Sequence, residues 1–164
     1  SAALMGWENS IRDWQRPGYM LYGNSPFCAN LMSERLEPVM TLQSKIISLR
    51  TIDAGETVGY DAIWTAERKS KIATIPIGYG DGYPRRAKNG TPVIVRDQRC
   101  PLVGRVSMDM ITVDVTDCEL ARIGDSVTLW GSELLVNEVA QHCETNGYEL
   151  LSGISVRIPR VARN

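Results

Sequence analysis

Apolar residues recur along this chain at short, strand-like intervals, and only one stretch has helical spacing. Leu42 to Leu49 approximates alternation, Ile52-Asp53-Ala54-Gly55-Glu56 reads as a turn, and Thr57 to Trp64 reads as a second strand containing Gly59 and Tyr60. Lys71 to Ile77 is a third. Asn89-Gly90 predicts a type I′ turn ahead of Thr91 to Arg96, a strand pattern that continues through Asp97-Gln98. Pro101-Leu102-Val103-Gly104 and Met110 to Val115 bracket a polar stretch, and Gly124-Asp125 precedes Val127 to Trp130. The helix begins at Asn137 as N-cap, puts Val136, Val139, Ala140 and Cys143 on one face and stops at Gly147. Tyr148 to Val161 returns as a last strand, and upstream Tyr19 to Tyr22 suits a short buried strand ending in a loop. The pattern predicts a mostly β fold, a closed or nearly closed small β-barrel with one or two short helices, because so many short strands would otherwise expose edges.

Composition narrows the class. With 164 residues the chain is about one domain long, and its 43% hydrophobic and 23% charged content is ordinary for a globular protein. No apolar run approaches the ~20 residues of a membrane span. Eighteen basic against nineteen acidic residues leave a formal charge of -1, so no global field draws in nucleic acid or anionic lipid. The four cysteines, Cys28, Cys100, Cys118 and Cys143, are scattered without a C-x-x-C pair, and His142 is the one histidine. That set suits buried free thiols in a reducing cytoplasm better than a zinc site, with a disulfide between a distant pair as the alternative. Ser1 to Gln15 carries Glu8, Arg12 and Asp13 where a signal peptide needs an apolar core. The missing initiator methionine and the abrupt end at Asn164 lead us to expect part of a longer protein.

Candidate chemistry concentrates in Ile75-Pro-Ile-Gly-Tyr-Gly-Asp-Gly-Tyr-Pro-Arg-Arg86. Three glycines at every second position bring backbone close to something, with Tyr79, Asp81, Tyr83, Arg85 and Arg86 as polar groups at the mouth, although Asp81 reads equally as a turn residue accepting local backbone hydrogen bonds. This reads as the rim of a small-molecule site. The spacing Gly78, Gly80, Gly82 is not G-x-G-x-x-G, and Pro84 stands where a dinucleotide-binding helix would open.

Four stretches in one order resemble the alanine racemase family of pyridoxal phosphate (PLP) enzymes. They are Arg16-Pro-Gly-Tyr-Met-Leu-Tyr-Gly23, Gly55-Glu-Thr-Val-Gly-Tyr60, the Gly78 to Arg86 loop and Gly104-Arg-Val-Ser-Met-Asp-Met110. The resemblance implies that 1–30 is the end of a PLP-binding (β/α)8 barrel and 31–164 the C-terminal β domain. It implies interconversion of L- and D-alanine through a PLP aldimine by a two-base mechanism, with Tyr60 as one base. It likewise implies a cytoplasmic enzyme of D-alanine and peptidoglycan precursor synthesis. An unperturbed tyrosine has a pKa near 10, so such a base needs cationic or hydrogen-bonding neighbours. Arg16 would face the pyridine nitrogen, while Ser1, the Gly18 and Tyr19 amides and Tyr148 would hold the cofactor phosphate. Met108, through its amide, together with Asp109 and Tyr79 would meet the substrate, and Arg85 and Arg105 would line the entrance. No metal is implied.

The family's cofactor lysine has no counterpart here, because none of Lys45, Lys69, Lys71 or Lys88 stands in its context. The resemblance therefore implies that these residues alone are inactive. It also implies a homodimer in which Tyr60, Tyr79, Met108 and Asp109 complete the partner's site. Two other readings follow from the residues: a racemase for serine or a broader set of amino acids, and a non-catalytic β-barrel module binding a partner or nucleic acid through Arg85, Arg86, Lys88, Arg96 and Arg99.

Overall fold

The computed structural model describes residues 1–6, 8–27 and 36–162. Cys28 and the expected domain boundary at 30/31 lie outside them. Among the described residues seven antiparallel strands form two sheets. Strands β1 (Leu42–Lys45), β7 (Ser126–Trp130), β4 (Pro92–Val95) and β5 (Gln98–Pro101) lie in the order β1-β7-β4-β5. Strands β2 (Ser48–Ile52), β3 (Ser70–Ile75) and β6 (Ile111–Asp114) lie in the order β2-β3-β6. The mostly β expectation holds, but the pairing is two sheets with no closed barrel recorded among the described residues.

The sheets approach at two corners. At the first, the Ile46 amide donates to Asp125 O at 3.0 Å and the next amide, Ile47, donates to Thr74 O at 2.9 Å, so the chain steps from one sheet to the other. At the second, the Leu102 amide donates to Thr91 O at 2.8 Å and the Val103 amide to Thr112 O at 2.9 Å. The core lies between the sheets and is filled by Ile75, Val93, Val95, Ile111, Val113, Leu129 and Trp130, all essentially inaccessible. A smaller cluster of Ile52, Val58, Ala66, Ile72 and Val103 sits beneath the segment that carries Tyr60.

Three segments differ from the sequence expectation. Thr57 to Trp64 is not a strand. Its ends pair, with the Val58 amide donating to Trp64 O at 3.2 Å, but Gly59, Asp61 and Ala62 adopt φ of 79°, 62° and 48° and throw out a tight turn, Tyr60–Ala62. Positive φ cannot propagate an extended ladder. The two-residue hairpin between β4 and β5 is Arg96-Asp97, with φ of 48° and 62°, where an unbroken strand pattern was expected. At Asn89-Gly90 a turn forms, but only Gly90 has positive φ, so it is not type I′.

Tyr148 to Val161 does not return as a strand. Residues Gly147–Gly153 form helix α3, whose N-cap Asn146 accepts the Glu149 amide at 3.1 Å. The preceding helix α2 (Val136–His142) starts one residue before Asn137, with Leu135 as its N-cap and no side-chain cap. Its buried face, Val136, Val139 and Ala140 continuing to Cys143, is the expected one. Tyr19–Tyr22 is a 3-10 turn in which only Tyr19 is buried, and a short helix α1, Ala2–Gly6, precedes it. Cys100, Cys118 and Cys143 are buried free thiols. Burial pushes the Cys100 and Cys143 thiols up to about 12.

Candidate functional site

Among the sequence-predicted residues, Tyr60 and Arg105 line one cavity and Gly18, Tyr19 and Tyr148 line another. The first is built around Tyr60, which is 68% exposed on its turn. The turn is held from below by Val58 and Ala66, and from the side by Asn89, whose Nδ2 donates to Ile63 O at 3.0 Å while its Oδ1 accepts the Gly104 amide at 2.8 Å. One short amide thus fixes the Tyr60 turn to the start of the Gly104 to Met110 stretch. Arg105 Nε lies 2.9 Å from Asp61 Oδ2, next to Tyr60 in sequence. A cavity of about 430 Å³ is lined by Tyr60, Arg105 and Ser107 with Thr74, Met110 and Thr112.

Beside it the glycine loop folds onto the Ser107–Met110 turn. The Tyr79 amide donates to Ser107 O at 3.1 Å and the Gly80 amide to Met108 O at 2.8 Å. The alternating glycines mark these close approaches: a Cβ on Gly78 would stand 2.4 Å from Met108 O, and one on Gly82 would stand 2.2 Å from Gly153 O. Tyr79 and Met108 remain 40% and 54% exposed. The Met108 carbonyl is engaged while its amide donates to no group among the described residues. Arg85 lies 6.0 Å from the Tyr79 ring centroid.

Two residues first read as part of the polar mouth are not there. Tyr83 is 1% exposed and stacks on Trp130 at 6.2 Å, its phenol pushed well above its ordinary range by burial. Asp81 is also buried, with Oδ2 accepting the Gly78 amide at 2.8 Å and Oδ1 accepting Arg157 Nε at 2.7 Å. Arg157 was missed altogether. Its Nη2 donates to Asp109 Oδ1 at 2.7 Å, and its hydrogen bonds to Asp81, then to Asp109, raise the guanidinium pKa above its ordinary value. Arginine in Val156-Arg157-Ile158 carries no local signal of such a role.

The second group is Ser1, Gly18, Tyr19 and Tyr148. Ser1 Oγ accepts the Met20 amide at 3.1 Å, and the rings of Tyr19 and Tyr148 stack with centroids 4.0 Å apart and planes 16° from parallel. Tyr19 also donates its hydroxyl to Asn137 Oδ1. Gly18, Tyr19, Tyr22, Tyr148, Leu151 and Ser152 line a cavity of about 330 Å³. Among these lining residues there are hydroxyls and turn amides and no carboxylate, a donor set that suits a phosphate monoester. Arg16 is exposed two residues before Gly18. Lys45, Lys69, Lys71 and Lys88 line neither cavity.

The basic residues that would make a nucleic-acid face are mostly engaged with acids. Arg86 pairs with Glu149, Lys88 with Glu144, Arg96 with Asp125 and Arg99 with Glu138. Among the described residues no group of three or more histidine, cysteine, aspartate or glutamate side chains is gathered to hold a metal, and no helix is long and apolar enough to cross a membrane.

The chain is similar in sequence and in fold to known proteins. Residues 39–162 match the model of the alanine racemase C-terminal domain. The alanine racemase of Chromohalobacter salexigens is 52% identical over 165 residues, covering 100% of this chain and 45% of that protein. The crystal structure of biosynthetic alanine racemase from Pseudomonas aeruginosa superimposes with a TM-score of 0.96 at 50% identity, over 100% of this chain and 46% of the other. Alanine racemase from Bartonella henselae, solved with covalently bound pyridoxal phosphate, gives 0.82 at 36% identity over 89% of this chain and 40% of its own. The chain spans just under half the length of these relatives, and over that span its sequence and its fold agree: it belongs to the alanine racemase C-terminal domain family.

Proposed function

We propose that this chain is the C-terminal part of a cytoplasmic, PLP-dependent alanine racemase that interconverts L- and D-alanine. Residues 1–30 are read as the end of the cofactor barrel and 31–164 as the β domain, with the two corners as seams of a nearly closed barrel. The observation that carries the proposal is that Gly18, Tyr19 and Tyr148 line one cavity, whose amides and hydroxyls suit a phosphate, while Tyr60 and Arg105 line another. Such a division suits a homodimer in which each subunit's Tyr60 face completes the other's cofactor site. Ser1, Gly18, Tyr19 and Tyr148 would hold the cofactor phosphate, and Arg16 would face the ring nitrogen. When bound, the cofactor supplies the electron sink that makes the α-proton of the amino acid removable.

Within that site the phenolic oxygen of Tyr60 takes or returns the α-proton from one face. The Met108 amide binds the substrate carboxylate, and Asp109 keeps the turn in shape. Tyr79 limits side-chain size, while Arg85 and Arg105 favour approach of a carboxylate. Alanine is preferred over serine because the Gly104 to Met110 stretch follows the alanine racemase pattern. In the intact protein, Tyr60→Phe is expected to lower racemisation by at least ~10²-fold, the typical contribution of one general base, with cofactor content unchanged. Steady-state assays in both directions test this, and full activity in the variant would overturn the role of Tyr60.

A further inference from the structure

We propose that Arg157 is a positioning residue for substrate binding: one guanidinium ties the glycine loop to the Ser107–Met110 turn and so fixes the Met108 amide. This rests on the reading of that face given above. The guanidinium is a planar fork with donors aimed in different directions, and here it spans two carboxylates, Nε to Asp81 Oδ1 and Nη2 to Asp109 Oδ1, both at 2.7 Å. Asp81 passes the constraint on through its other oxygen, which accepts the Gly78 amide at 2.8 Å, and through its carbonyl, which accepts the Ser155 amide at 2.9 Å. The C-terminal segment, the glycine loop and the Met108 turn are thereby joined at one charged group. Gly80 leaves room for it, since a Cβ there would stand 2.6 Å from Nη2.

The arrangement acts on the Met108 peptide from both ends. The plane of the Met108 amide is shared with the Ser107 carbonyl, which accepts the Tyr79 amide at 3.1 Å; one residue on, the Met108 carbonyl accepts the Gly80 amide and Asp109 is held by Arg157, so the turn is fixed on both sides of the Met108 amide before anything binds. Charge matters as well as geometry. Asp81 and Asp109 are two anions beside a place assigned to a carboxylate, and Arg157 offsets them. Without it the face would repel the group it is meant to bind. A lysine would keep the charge but meet only one carboxylate at a time.

The test uses the intact holoenzyme with Arg157→Gln and Arg157→Lys. KM and kcat are measured for both alanine enantiomers, together with competitive inhibition by propionate, a carboxylate of alanine's size without the amino group. Loss of a charge-supported hydrogen bond predicts a KM about tenfold higher or more in Arg157→Gln, with propionate weakened by the same factor and kcat within about threefold. Arg157→Lys is expected to fall between this variant and the parent. A merely structural role would lower kcat and thermal stability without the parallel change in KM and propionate affinity. If Arg157→Gln does not fold, Asp109→Asn, which cuts one arm, is measured in the same way. Unchanged KM and propionate inhibition in an active enzyme would overturn the role of Arg157 alone. A parent protein that does not racemise alanine would overturn the underlying reading and this inference with it.

Discussion

Gly78, Gly80 and Gly82 share one sequence pattern and three different surroundings. A Cβ on Gly82 would meet the Gly153 carbonyl, and its φ of 97° is strained for any other residue. A Cβ on Gly80 would meet the far end of the Arg157 side chain, which can shift only by giving up part of its hydrogen bonding to Asp81 and Asp109. In the intact protein Gly82→Ala is therefore expected to cost more than about 2 kcal/mol, combining backbone strain with overpacking, and Gly80→Ala distinctly less. Denaturant unfolding of the two variants tests the order, and equal losses would show that backbone approach is not what Gly82 serves. The sequence motif announced that something comes close to this loop. It could not announce what, because the approaching groups, Met108 O, Arg157 and Gly153 O, come from 28 to 77 positions away.

The elements divide by how far their determinants lie from them. β7 and the buried face of α2 were readable because their cores repeat with the period of one element. The hairpin at Arg96-Asp97 was not, since neither residue advertises positive φ as Asn-Gly does; the pairing of Val95 with Gln98 imposes it. Helix α3 did have a local signal, Asn146 followed three residues later by Glu149, which a strand reading of Tyr148 to Val161 passed over. That cap is now a specific expectation: Asn146→Ala should destabilise α3 by about 1 kcal/mol, because the Glu149 amide loses its acceptor. Chemical unfolding measures the loss, and Asn146→Asp should restore most of it. The Thr57 to Trp64 excursion is the opposite case. Its strand-like pattern is real at the two ends, where Thr57 bridges Thr65, while three left-handed residues between them lift Tyr60 out of the sheet.

For the whole molecule the decisive feature is that Tyr60 and Arg105 line one cavity while Gly18, Tyr19 and Tyr148 line another. If each active site draws one group from each of two subunits, two defective variants can complement. Tyr60→Phe and Arg16→Glu, each impaired alone, should regain activity when subunits are exchanged, to about one site in four of the unaltered enzyme, since about half the dimers are mixed and each has one intact site. Activity that stays at the level of the separate variants would mean that both groups serve one subunit's site. The family, the mostly β class and the identity of Tyr60, Tyr79, Met108 and Tyr148 as candidates were legible in linear order, because motif and period are properties of neighbouring residues. The burial of Tyr83 and Asp81 and the engagement of Arg157 with Asp81 and Asp109 came from the fold. Each depends on contacts between segments far apart in the chain, and no local pattern of residue types specifies which distant segment will be met.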